Sequence, residues 1–234
     1  MAEPVSPTER SELLALFAEL RVADVRDGLD TLGLHFQATV HHGIRPLWRT
    51  RACGLARTAR HLPFAGTMPP LTGDEYWKWS GEYYAKVNPY PWMDGIAPGD
   101  FVVIDQSGVD VGLMGSNNSL AGFKSGARGY VCNGGVRDTD ELILQQIPFW
   151  SAFVAQKMVQ ARLQYDAHDV PVAVGGVTVY PGDMVVADGD GVIVVPRVHA
   201  RAVAKWANEE RVRDRAIRKK LYQDLGRPLD PSVE

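Results

Sequence analysis

The stretch NGGVRDTDEL, from Asn133 to Leu142, packs two glycines, an arginine and three acids into ten positions. Arginine presents a planar fork of donors that matches a carboxylate, and glycine lets backbone approach a ligand closely. Asp138 beside it offers a hard oxygen of the kind Mg²⁺ takes, because that ion binds one or two protein carboxylates and keeps waters. A structural reading stands next to the chemical one. Asp138 and Glu141 have capping-box spacing, and Asp140 and Glu141 would complement the dipole of a helix starting there.

The segment before it, GLMGSNNS from Gly112 to Ser119, repeats the theme. Gly112 and Gly115 permit tight backbone, and Ser116, Asn117, Asn118 and Ser119 supply caps for a following helix. A helix N-terminus with free amides is an anion site. Two such termini with Arg137 and Asp138 between them predict a shared pocket for an oxyanion and a metal. The remaining candidates are weaker. Adjacent His41 and His42 should point in different directions, which disfavours joint ligation; a proton-transfer role is kept open for His42. Asp188, Asp190 and Gly191 read as a turn with too few oxygens for a calcium loop. Lys78 and Lys124 read as solvated, and Cys53 and Cys132 as reduced core thiols without zinc or disulfide spacing.

Several elements must position these residues. Ser6, Pro7 and Glu9 form a helix-start signature, and Val25, Leu29 and Leu32 fall on one face of a second helix ended by Gly33. ACGLARTAR, FVVID and ARGYVC read as strands, so the opening stretch is strand, Gly-Gly loop, then helix, with Leu142, Ile143 and Gln146 at helical intervals. APGDFVVID (97–105) and YPGDMVVAD (180–188) share a Pro-Gly-Asp turn suited to type II geometry, followed by a buried strand. The end of the chain is a charged helix over roughly 198–221 with Val203, Trp206 and Ala207 on one side. Seven of the 21 aromatics crowd between Tyr76 and Trp92. Their spacing fits neither a clean helix face nor a strand, and NPYPW breaks a helix. They read as cover for a local core, a subunit contact or a substrate lid.

At 234 residues, 45% hydrophobic and 23% charged, with a net charge of −3, the chain reads as one globular core with terminal additions. The expected division is an N-terminal helix (1–20), an α/β domain (21–197) with an aromatic insertion at about 73–93, and a C-terminal helix and tail (198–234). The charge disfavours nucleic acid, and no apolar run approaches the roughly 20 residues of a membrane span. A cytoplasmic location is expected from the lack of a signal-peptide pattern.

PGDFVVID, the Gly115 segment, GGVRD and PGDMVVADGDGVIVVP, together with VADVRDGLDTLG near the start, resemble the RraA-like family in the same order over roughly residues 20–197. That family includes the ribonuclease regulator RraA and class II pyruvate aldolases. The resemblance implies a layered α/β fold of the swivelling β/β/α type, assembled as a homotrimer or homohexamer. It implies Arg137 as the clamp on substrate oxygens and Asp138 as the ligand of Mg²⁺ or Mn²⁺. Gly115, Asn117 and Asn118, within 113–118, would form a backbone cradle, with Gly135 also at the substrate. The implied reaction is retro-aldol cleavage or decarboxylation of a 2-oxo acid through a metal-stabilised enolate, with no Schiff-base lysine.

Three positions depart from the aldolase pattern. Ser116 stands where those enzymes carry an acid supporting the catalytic water, Asn133 where an Asp precedes the glycines, and His42 where an acid comes from the neighbouring subunit. Serine is no carboxylate base at neutral pH. Arg137, Ser116 and His42 are the catalytic candidates, and the altered acids imply an unusual substrate, with the aromatic segment lining a pocket for a bulkier or aromatic one. The alternative is a non-catalytic RraA-like regulator that binds a ribonuclease or other protein, its partner surface including Trp77 and Trp79.

Overall fold

The computed structural model describes residues 4–233; residues 1–3 and 234, the outermost ends of the two terminal segments, lie outside the described residues. The chain opens with α1 (Pro7–Phe17) and α2 (Val22–Thr31). Ser6 accepts from the Glu9 amide at 3.2 Å with Pro7 in the first turn, and Gly33 ends the second helix at φ +75°, as the sequence pattern predicts. There follow β1 (Arg45–Pro46), β2 (Ala52–Pro63), α3 (Gly73–Lys86), α4 (Pro91–Asp94) and β3 (Asp100–Asp105). The centre of the chain holds β4 (Gly112–Met114), α5 (Ser116–Ser125), β5 (Gly129–Val136), α6 (Thr139–Leu144) and β6 (Phe149–Val154). Then come β7 (Leu163–His168), β8 (Val172–Val174), β9 (Val177–Val179), β10 (Met184–Asp188), β11 (Gly191–Val195) and α7 (Ala200–Asp224).

The main sheet runs β1-β6-β5-β3-β2-β10-β11, with β4 beside β5 and β7 beside β2. β2, β3, β5 and β6 are parallel neighbours, whereas β10 and β7 join β2 antiparallel. The sheet curls until its ends approach, where the Arg45 side chain donates to the Asp190 carbonyl at 3.3 Å. Two-residue periodicity sorts the strand side chains into layers. Phe101 and Val103 of β3, Val131 of β5, Val185 of β10 and Val194 of β11 point inside the curl against the β8–β9 hairpin. Val102 and Ile104, with Tyr130 and Cys132, point outward beneath Trp92, Met114 and Leu142. Met184, Val186, Ile193 and Val195 face out on the other side, beneath α1, α2 and α7. This is a layered α/β fold with added terminal helices.

The two Pro-Gly-Asp turns are built alike. Gly99 (φ +91°) and Gly182 (φ +87°) take the left-handed position of a type II turn. Asp100 and Asp183 each fold back to accept the amide three residues earlier, Ala97 at 2.9 Å and Tyr180 at 2.8 Å. Both turns meet β2 at Leu55, which pairs with Asp100 on one side and Met184 on the other. The echo therefore launches the two strands that flank β2.

Four expectations are corrected. Residues 73–86 are helical despite their aromatic content, with Asp74 and Glu75 in the first turn and Lys86 in the last; the break at NPYPW separates α3 from α4. Gly134 and Gly135 lie within β5, at an irregularity in its pairing with β6, rather than in a loop. The following helix stops at Leu144, because Gln146 turns left-handed at φ +55°, and only Leu142 of its expected apolar face is buried. The last helix extends to Asp224 and presses Val203, Ala204 and Ala207 on α2, where Gly28 leaves no room for a Cβ (2.6 Å from the Val203 carbonyl).

Candidate functional site

Strands β4 and β5 run parallel and each passes directly into a helix, so the N-termini of α5 and α6 come together outside the carboxyl ends of the strands. Such crevices are where open α/β sheets bind ligands. The Arg137 amide donates to the Met114 carbonyl at 3.1 Å, which ties the arginine to the strand that feeds α5.

Asp138 occupies the N-cap position of α6 but does not cap it. Its backbone is left-handed (φ 55°, ψ 44°), a conformation Asp tolerates better than most residues, and its side chain makes no capping bond to its own helix. The carboxylate turns to the neighbouring helix instead. Oδ2 accepts from the Ser116 amide at 3.1 Å and from the Ser116 hydroxyl at 3.3 Å, while Oδ1 accepts from Arg137 Nε at 3.2 Å. Partial burial pushes the Asp138 carboxyl up, but Arg137 and the two Ser116 donors outweigh it and hold the group below its ordinary value. The capping-box reading of Asp138 and Glu141 is therefore wrong at the level of side chains.

Two glycines create the space. A Cβ at Gly115 would sit 2.4 Å from Asp138 Oδ2, and one at Gly112 would sit 2.4 Å from Arg137 Cγ. Gly134 and Gly135 serve packing: a Cβ would strike the Gln106 side chain at 2.4 Å in the first case and Ala155 at 2.5 Å in the second. Gly135 is buried, and its carbonyl accepts from Gln106 Nε2 at 3.2 Å. Its surroundings are thus other core groups, and the close approach the sequence suggested is made by protein.

Gly115 is the N-cap of α5, with no side-chain cap of its own. Ser116, Asn117 and Asn118 occupy the first turn; the expected self-capping by these side chains does not occur, since Asp138 supplies the acceptor. Among the described residues no hydrogen bond is made by the Asn117 or Asn118 amides, which leaves two first-turn donors open. Asn117 is exposed and Asn118 half-buried.

Asn133 is absorbed into the scaffold. Its Nδ2 donates to Asp105 Oδ1 at 2.7 Å and to the Ala173 carbonyl at 3.0 Å, and its Oδ1 accepts from the Gln106 amide at 2.6 Å. His42 is not brought to Arg137 within one chain. It lies against His41, ring centroids 4.1 Å apart, on a segment held by the His41 amide donating to the Gly175 carbonyl of the β8–β9 turn. The two rings lie against each other at a tilt of 35° rather than diverging, which corrects the expectation for that pair.

Tyr84 belongs to the aromatic segment read from the sequence as core cover, subunit contact or substrate lid. It lies on α3, half-buried, and packs with Tyr90 on the cluster that holds Leu113, Met114 and Val136. Burial raises its hydroxyl above the ordinary tyrosine value, and the positive charge of Arg137 pulls it back, so phenol and guanidinium share one neighbourhood. The acids at the start of 73–86 and the lysine at its end were the available signal for the helix that carries it. Behind the cradle, Tyr90 donates to the Leu113 carbonyl at 3.1 Å, and buried His61 places Nδ1 2.8 Å from Asn88 Oδ1.

A family model described as RraA-like, Aldolase/RraA, matches residues 22–194, a span that contains this site. The chain belongs to the RraA-like family. Among its relatives, the 4-hydroxy-4-methyl-2-oxoglutarate aldolase of Thermus thermophilus is 34% identical over 100 residues, 42% of this chain and 60% of that protein. The chain matches 58–61% of the length of the curated aldolase relatives of this kind. Of solved structures, an uncharacterized protein from Pseudomonas syringae pv. tomato superposes with a TM-score of 0.74 at 25% identity over 100% of both chains. RraAS2 of Streptomyces coelicolor, described as an unusual member of the RNase ES inhibitor RraA family, superposes at 0.71 with 25% identity, over 93% of this chain and 99% of its own. Among the described residues, no helix is long and apolar enough to cross a membrane.

Proposed function

We propose that this RraA-like protein is a divalent-metal-dependent carbon–carbon lyase acting on a 2-oxo acid. The observation that carries the reading is the Arg137–Asp138 pair, ionised and facing the open first turn of α5, with glycine at both positions where a Cβ would collide with it. Aldolase-named relatives make a small oxo-acid substrate the natural choice.

The donor set fits Mg²⁺ or Mn²⁺. Asp138 is a single hard carboxylate held ionised, and its Oδ1, which accepts from Arg137 Nε, retains a lone pair, whereas Oδ2 accepts two bonds from Ser116. Among the described residues no group of three His, Cys, Asp or Glu side chains gathers. One protein carboxylate suits an ion that keeps most of its ligands as water and substrate. Such a cation supplies Lewis-acid charge next to the 2-oxo oxygen.

The chain's own groups do the rest. The Arg137 guanidinium binds the carboxylate and 2-oxo oxygens and stays charged as negative charge develops there when the adjacent carbon–carbon bond breaks. The free amides of Asn117 and Asn118 cradle the carboxylate at the positive end of α5. Ser116 donates its hydroxyl to Asp138 and acts as a positioning residue, so the proton for the released carbon comes from another group. His42 is the candidate, delivered from an adjoining subunit of a homotrimer or homohexamer. That assembly is supported by exposed Leu120 and Phe123 on α5 and Leu144 on α6, apolar side chains on the two helices that start at the site.

The test is proton NMR of pyruvate in D₂O with and without Mg²⁺, following exchange of the methyl protons. Metal-dependent exchange that disappears in Asp138→Ala supports the reading. The competing reading, a regulator that binds a protein partner, draws on one observation, the 63% exposure of Trp77 on α3. It predicts no exchange and partner binding that is lost in Trp77→Ala.

A further inference from the structure

The helix that carries the aromatic segment is fixed rigidly to the body. Tyr83 donates to the Leu163 carbonyl at 2.6 Å, and buried Gln160 donates to the Ser80 hydroxyl at 2.6 Å. Trp79 packs on Tyr83 with ring centroids 5.2 Å apart, and Phe64 packs on its other side at 5.3 Å. Tyr84 lies one turn after Ser80 on the same side of the helix, and its hydroxyl has Gln160 as a hydrogen-bond partner. Its ring lies 6.2 Å from Tyr90, whose hydroxyl holds the Leu113 carbonyl at the base of the cradle. Tyr84 also packs against the buried cluster to which Leu113, Met114 and Val136, the residues before Gly115 and Arg137, belong. An aromatic wall thus stands beside the clamp on a helix that three anchors hold still.

From this placement we infer that Tyr84 is a specificity-determining residue and that the site takes a 2-oxo acid whose distal part is flat and apolar, an aryl or similarly bulky group. The inference rests on the clamp reading under Proposed function and adds the substrate class. A substrate with a second carboxylate would need a second cation, and the segment opposite does not free one. Lys157, whose carbonyl accepts from the Gly112 amide at 3.0 Å, is ion-paired to Asp110. A tyrosine ring next to Tyr90, at the base of the cradle, offers instead a face for stacking and an edge for packing.

The experiment is isothermal titration of the full chain with Mg²⁺ present, using oxalate to probe the clamp alone, phenylpyruvate as the aryl 2-oxo acid and 2-oxoglutarate as the dicarboxylate. The wild type should bind phenylpyruvate more tightly than 2-oxoglutarate. In Tyr84→Ala the ratio of phenylpyruvate to oxalate affinity should fall about tenfold. Tyr84→Phe should keep the ratio, and Tyr84→Leu, which retains bulk without the ring, should fall between and covers the case that the alanine variant does not fold. If oxalate does not bind the wild type, the clamp reading fails and this inference falls with it. If oxalate binds but 2-oxoglutarate is preferred, or the ratio stays fixed across the Tyr84 variants, the substrate class is overturned while the clamp stands.

Discussion

Asp138 caps a helix that is not its own: its Oδ2 accepts the Ser116 amide at 3.1 Å, at the start of α5, although Asp138 itself stands at the start of α6. One carboxylate therefore stitches together two helix starts and serves as the candidate metal ligand. The two roles separate by substitution. Asp138→Asn keeps an acceptor for Ser116 but no charge, so it should retain stability within about 1 kcal/mol and lose metal-dependent exchange. Asp138→Ala should lose both, with an added cost of about 1 kcal/mol for the missing cap, read by urea denaturation. If the Asn variant keeps full exchange, Asp138 is not the ligand.

The glycines give a prediction with the opposite emphasis. Gly115→Ala would press a methyl on Asp138 Oδ2, and Gly112→Ala would press one on the Arg137 stem. Neither glycine needs a left-handed backbone, since Gly115 has φ −145° and Gly112 is not among the positive-φ glycines. The damage should thus fall on the positions of Arg137 and Asp138, with oxalate affinity dropping at least about tenfold for a loss of roughly 1–3 kcal/mol in stability. Titration and chemical denaturation on the same samples check it.

How far the sequence could be read follows from which forces were local. Ser6, Pro7 and Gly33 act on backbone within a few residues, so both N-terminal helices were legible. The Pro-Gly-Asp turns were legible for the same reason, and they correctly placed two buried strands. The destination of the Asp138 side chain was not legible, because capping its own helix and capping α5 differ only in how β4 lies beside β5. The helix under Tyr84 was obscured because aromatic residues were expected to form a face by periodicity. Here Tyr83 is buried, Tyr84 is half-buried and Trp77 is exposed, so aromatics occur all around the helix. Family resemblance supplied roles for Arg137 and Asp138 that spacing alone left open.

Arg137→Lys tests whether the clamp uses geometry or only charge. Lysine keeps one positive charge but lacks the planar fork, and it would no longer place an Nε donor on Asp138 as Arg137 does at 3.2 Å. Oxalate affinity should fall about ten- to a hundredfold, in keeping with the strength of paired charge-assisted bonds. A loss under twofold would mean that the arginine acts as a distant charge.

Asn133→Asp asks why this chain lacks the acid expected at that position. Asn133 donates to Asp105 at 2.7 Å, so an aspartate there would set two carboxylates against each other. The folded variant should be about 1–3 kcal/mol less stable at pH 7. Mutual repulsion raises the folded pKa of the pair, so the deficit should shrink as the pH falls towards 5 and one carboxyl takes up a proton. Denaturation of both proteins at pH 7 and pH 5 measures it, and a deficit that grows on acidification contradicts the pairing.

His61 carries the clearest dependence on pH. The side chain is fully buried, burial pushes its pKa down to about 4, and the hydrogen bond to Asn88 only partly offsets that. The folded value lies below the ordinary histidine value of 6.5. Between the two, the unfolded chain binds a proton that the folded chain refuses, so stability falls as the pH drops from about 6.5 to about 4 and levels off below. The loss amounts to about 3 kcal/mol, because each tenfold difference in proton affinity between the folded and unfolded chain is worth about 1.4 kcal/mol. His61→Gln preserves an amide for Asn88 and removes the titration, so its stability difference between pH 7 and pH 4 should be smaller than the wild type's by that amount. Equal differences in the two proteins would mean that His61 takes up its proton as readily in the fold as in the unfolded chain, so that the His61, Asn88 and Tyr90 network behind the cradle accommodates a charge at pH 4.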